Sequence, residues 1–88
     1  MKINQTFAIR EVAGEYILLP VGRSALAVGG MLTTNEVGAF ICEALREEVS
    51  REELIRRLCE EFDAPREVIA ADLDEFLDRL RKANILQD

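Results

Sequence analysis

The hydrophobic period of this chain changes at Asn35, and that change limits what it can fold into. Before it, apolar residues come in short β-branched and aromatic runs broken by glycine; beyond it they recur every three to four positions nearly to the end. Val37, Phe40, Ile41, Ala44 and Leu45 fall at i, i+3, i+4, i+7 and i+8, one apolar stripe on a helix. Asn35 suits the N-cap, and Glu36 sets a negative charge at the positive end of the helix dipole. The spacing predicts a helix over about 36–48, fed directly by a short strand. Gly38 within it costs about 1 kcal/mol against alanine, a cost that a close approach by a neighbouring element would explain.

The earlier half reads as strands. Ile3, Phe7, Ile9 and Val12 mark a first extended segment, Ala13-Gly14-Glu15 a tight turn, and Tyr16 to Val21 a second strand paired with the first. Pro20 donates nothing to a ladder, so it belongs at a strand end or on an edge. From Ser24 to Asn35 no residue is charged, in a chain that is 32% charged, and this stretch ends in the third strand.

The later half reads as two more helices. Ser50 and Glu53 form a capping box before Leu54, Ile55, Leu58, Cys59 and Phe62, with Glu52/Arg56 and Glu53/Arg57 as i,i+4 ion pairs. Pro65 suits the first position of a third helix, whose stripe is Ile69, Leu73, Phe76, Leu77 and Leu80. Arg79, Arg81 and Lys82 sit in its last turn, and Asn84 suits a left-handed C-cap. Ile85-Leu86 then anchors the tail. Strands followed by helices imply one α+β domain over residues 1–88: a small antiparallel three-stranded sheet and three helices, a winged helix-turn-helix inventory.

Composition removes several function classes. Histidine is absent and serine occurs only at Ser24 and Ser50, so Ser-His-Asp and Cys-His catalysis lack their parts. Two cysteines without imidazole do not build a zinc site, and Cys42 and Cys59 read as small buried hydrophobes in a reducing compartment. The acidic clusters of the later half read as solvated helix faces. No phosphate-loop pattern accompanies the glycines. The net charge of −6 falls entirely on residues 43–88, which disfavours nucleic acid and anionic membrane. The longest apolar run, Tyr16 to Val21, is far short of a membrane span, and the N-terminus has no signal-peptide pattern, so a cytoplasmic location is expected. The chain reads as a binder with no catalytic residue, no metal and no cofactor.

Over nearly its whole length the chain resembles the PqqD-like proteins, also called RiPP recognition elements, whose namesake is the peptide chaperone of pyrroloquinoline quinone biosynthesis. The matching pieces are YILLPV before the loop, NEVGAFI opening the first helix, and SREELIRRLCEEFDAPREVIAADLDEFLDRLRKANIL for the other two. Asp72, Phe76, Leu77 and Leu80 match a D-x-x-x-F-L-x-x-L pattern. Thr34, Cys42 and Asn84 stand where the family often has Leu, Trp and Gly. The resemblance implies a winged-helix-like domain that binds the leader segment of a ribosomally made precursor peptide. That segment would add as a strand beside the third strand and lie along the third helix, presented to a modifying enzyme, often a radical SAM protein.

An uncharged edge strand fits this, because sheet edges are normally guarded by charge or proline. The peptide-binding residues expected are Val28, Gly30, Met31, Leu32, Thr33 and Thr34 on the strand side, and Val68, Asp72, Glu75, Phe76 and Arg79 on the helix. Two other readings stand beside this one. The uncharged stretch could join two copies into a homodimer. Less favourably, Arg66, Arg79, Arg81 and Lys82 could contact nucleic acid.

Overall fold

The computed structural model describes residues 1–22 and 32–88. Their elements run β1 (Lys2–Ile3), β2 (Phe7–Val12), β3 (Glu15–Pro20), β4 (Leu32–Thr34), α1 (Glu36–Ala44), α2 (Arg51–Glu61), α3 (Arg66–Lys82) and β5 (Leu86–Gln87). The main sheet has the order β2-β3-β4, all antiparallel. With its three helices it is the α+β, winged helix-turn-helix-like arrangement expected.

The β2–β3 hairpin closes on the pair Val12↔Glu15, so its loop has two residues. Ala13 and Gly14 take φ of +53° and +84°, the left-handed pair that a tight hairpin with right-handed strand twist requires. Glycine meets that demand freely, whereas alanine brings a Cβ that the conformation disfavours. Pro20 lies at the end of β3, beyond the residues that β4 pairs, as expected of a residue without an N–H.

The first extended segment divides into two. Ile3 leaves the sheet and its N–H bonds the Leu45 carbonyl at 2.9 Å, while Asn4 N–H bonds Ile85 at 3.0 Å and Val49 N–H bonds Met1 at 3.0 Å. β1 thereby pairs with β5 as a second two-stranded ribbon that the sequence reading did not contain. The same contact shortens α1 from the expected end near residue 48 to Ala44. With Leu45 already bonded by β1, Arg46 turns away, its guanidinium 4.0 Å above the Phe7 ring and bonded to the Phe7 carbonyl at 2.9 Å.

The helix stripes point inward as their spacing demands. Ile41, Leu45, Leu54, Ile55, Leu58, Leu73, Leu77 and Leu80 are essentially inaccessible, and Phe7 and Leu18 meet them from the sheet. Phe40 and Phe62 close one end edge to face, centroids 5.5 Å apart. Two cysteines part company: Cys42 is buried, with its thiol pushed up to about 12 chiefly by desolvation, but Cys59 is exposed at the rim of α2. At the start of α2, Ser50 Oγ accepts from Glu53 N–H at 3.1 Å. The expected return bond is replaced, since the Glu53 carboxylate takes Arg56 and Arg57. The expected Glu52/Arg56 pair gives way to Glu52–Arg66, 2.7 Å apart, which ties α2 to α3. Pro65 is the N-cap of α3 and not its first turn residue.

α3 ends in a complete Schellman motif: Asn84 N–H bonds Arg81 at 3.0 Å, Ile85 N–H bonds Leu80 at 3.1 Å, and Asn84 has φ of +61°. This turns the chain so that Ile85 buries and β5 meets β1.

Candidate functional site

β4 and α1 are joined by Asn35 alone, so the strand edge and the helix start are rigidly linked. The Asn35 Oδ1 accepts from Gly38 N–H at 2.9 Å, capping α1. Thr34 lies on the sheet face that carries Leu18 and Leu32, because its partner is Tyr16 and side chains alternate. Its side chain rests on Gly38. A Cβ at position 38 would overlap Thr34 Oγ1 and stand 2.9 Å from Thr34 Cβ and 3.0 Å from Phe76 Cε1. The glycine in this helix therefore answers to a close approach from two directions.

Beside this junction a cleft of about 230 Å³ opens between α1 and α3. Val37, Gly38, Ile41 and Phe76 contribute its apolar surface, and Phe76 is only 7% exposed, part core and part cleft wall. Thr34 and Asn35 border one side; Asp72, Glu75 and Arg79 border the other. The α3 residues come together because 72, 75, 76 and 79 recur at three- and four-residue steps on one helix face. Asp72 and Glu75 are exposed, and neither makes an ion pair among the described residues.

Arg79 spans the gap between helix and sheet. Its Nη2 donates to the Thr33 carbonyl at 2.9 Å, and its Cζ lies 5.6 Å from the Phe76 ring centroid. In an antiparallel ladder successive residues point their N–H and C=O to opposite sides. A carbonyl reached from α3 places Thr33 as the residue of β4 whose backbone groups face away from β3. β4 is the last strand of the sheet among the described residues, and no described strand pairs with these groups.

Of the residues singled out from the sequence, Thr34, Asp72, Glu75, Phe76 and Arg79 meet at this cleft, and Leu32 and Thr33 lie on the strand that borders it. Val68 is 47% exposed and one turn before Asp72, on the same side of α3 but outside the cleft. Val28, Gly30 and Met31 lie outside the described residues. From the sequence Asn35, Val37 and Ile41 read as cap and core and Gly38 only as a place of close approach, yet all four line the cleft; the mid-helix glycine is the one sequence signal of it. Among the described residues no His, Cys, Asp or Glu group could hold a metal ion.

Comparisons with known proteins bear on the family and the fold. No curated protein matches the sequence. A solved structure described as TbiB1 in complex with the TbiA(beta) leader peptide matches with a TM-score of 0.75 and 28% identity, covering 99% of this chain and 95% of that one. The family model for coenzyme PQQ synthesis protein D matches residues 15–86, from the first residue of β3 into β5, and the chain therefore belongs to the PqqD family.

Proposed function

We propose that this protein binds the leader segment of a ribosomally synthesised precursor peptide, as a strand added to the β4 edge beside α3, and holds it for a separate modifying enzyme. The observation that carries the reading is the side of β4 that no described strand pairs, next to a half-apolar cleft between α1 and α3. Backbone groups would supply affinity there, and the cleft would accept a side chain. Family membership and the leader peptide in the TbiB1 structure support it. The protein contributes no catalysis of its own, and the family resemblance points to a radical SAM protein as the enzyme served. A cytoplasmic location fits, and among the described residues no helix is long and apolar enough to cross a membrane.

Nucleic acid fits less well, since Arg66, Arg81 and Lys82 are each matched to a carboxylate within the chain. Self-association through the same edge would compete with the peptide.

The test is proline at Thr33, whose N–H faces outward. Leu32 is less suitable, because by alternation its N–H belongs to the ladder with β3. The precursor leader retained by the protein in its source cell, labelled for fluorescence anisotropy, should bind with roughly micromolar affinity, about −8 kcal/mol. Thr33→Pro should weaken binding at least tenfold while circular dichroism and cooperative melting stay unchanged. A folded Thr33→Pro protein that binds as the parent does would overturn strand addition.

A further inference from the structure

α3 carries four cations, and three of them have carboxylates. Arg66 reaches Glu52 at 2.7 Å, Arg81 reaches Asp88 at 3.0 Å and Lys82 reaches Asp78 at 3.1 Å. Arg79 has no carboxylate within ion-pair distance among the described residues, although Glu75 stands four positions before it on the same face. Its guanidinium instead bonds the Thr33 carbonyl, on the side of β4 that no described strand pairs, with the Phe76 ring nearby. An added strand would bring its own N–H to that oxygen, to the place where Arg79 Nη2 now sits. Arg79 also supplies what the charge-free sequence of β4 lacks, a cation guarding an exposed edge.

We propose that Arg79 is a displaceable guard of the β4 edge and, once displaced, the residue that selects a peptide carrying Asp or Glu beside Thr33. This rests on the strand-addition reading above. Displacement breaks one charge-assisted hydrogen bond to a carbonyl. A carboxylate on the incoming strand restores the loss and improves on it, because a guanidinium fork matches a carboxylate with two parallel bonds. A neutral side chain at the same place leaves the displaced guanidinium with water or Glu75. The protein would thus discount strands that lack an acid.

The experiment pans a randomised 12-residue peptide display library in parallel on the parent protein, Arg79→Ala, Arg79→Lys and Thr33→Pro. Peptides recovered from the parent are then synthesised in acid and amide forms. Asp or Glu should be enriched at one position on the parent, weakly on Arg79→Lys and not on Arg79→Ala. The acid form should bind the parent about three- to tenfold more tightly than the amide form. Arg79→Ala should bind both forms alike, and the amide form at least as tightly as the parent does, because the guard is gone. Equal weakening of both forms by Arg79→Ala would make Arg79 merely structural and overturn the proposal. So would the same acid enrichment on Arg79→Ala, or displaced Arg79 turning to Glu75 so that acid and amide bind the parent alike. If the recovered peptides bind Thr33→Pro undiminished, strand addition itself fails; peptides that need Thr33 yet ignore the acid sink only the role of Arg79.

Discussion

In a Gly38→Ala variant, helix propensity alone would add about 1 kcal/mol of stability. The structure sets a larger cost against it. The new Cβ would overlap Thr34 Oγ1 and lie 2.9 Å from Thr34 Cβ and 3.0 Å from Phe76 Cε1. Rotation about Thr34 χ1 moves Oγ1 but not Cβ, which is fixed to the β4 backbone. Phe76 is packed at 7% exposure and has little room to retreat. Relief must come from the β4 backbone moving off α1, an overpacking strain of about 1–3 kcal/mol. With steric contact on two sides, the upper part of that range applies, and the variant should lose about 1–2 kcal/mol net. Urea unfolding followed by circular dichroism measures this directly, with an unchanged m-value showing that only stability moved. Thr34→Gly in the same background removes the two Thr34 atoms, leaving only the Phe76 contact, and should recover about 1 kcal/mol beyond additivity. A Gly38→Ala protein as stable as its parent, or more stable, would refute the close approach and with it the rigid coupling of β4 to the cleft.

Other expectations follow from single features. Ala13→Asn should raise the melting temperature by about 4–8 °C, corresponding to about 1 kcal/mol, because asparagine tolerates the φ of +53° that alanine resists; a thermal melt checks it. One thiol, that of Cys59, should react with a disulfide reagent in the native protein and both in denaturant, because Cys42 is buried with its thiol pushed up to about 12. The hydrogen bonds from Arg56 and Arg57 hold the Glu53 carboxyl down at about 2, from an ordinary 4.5. A depressed folded value means a contribution fully present above about 4.5 and lost as pH falls toward 2; Glu53→Gln should flatten the stability-pH curve in that window and leave it parallel above.

The α3 stripe shows how much could be read from residue order. Ile69, Leu73, Phe76, Leu77 and Leu80 were legible as one buried face because helical period is a local property, and all five are buried. Four α3 residues of the candidate cleft follow from the same geometry, since 72, 75, 76 and 79 share a face whatever surrounds them. Caps and turns were legible for similar reasons: Asn35, Ser50 and Asn84 satisfy backbone groups only a few residues away. Ion pairs were legible only in part, because exposed charges choose among several partners at similar free energy. Glu53 kept Arg57, but Glu52 turned across to Arg66.

By itself, then, the order of residues determined the strand-then-helix succession, the inward faces and the chain's likeness to a peptide-binding family. Tertiary structure decided what depends on elements distant in sequence. Ile3 was taken from the first strand and paired near Leu86, since the Leu45 carbonyl and the turn after α3 offered it partners that no local pattern records. It likewise brought Thr34 onto Gly38, and Arg79 onto Thr33 forty-six positions away. Those contacts exist because the helices, once their stripes are buried, leave one sheet edge and one helix face side by side, and unpaired backbone groups bond whatever donor the packing delivers.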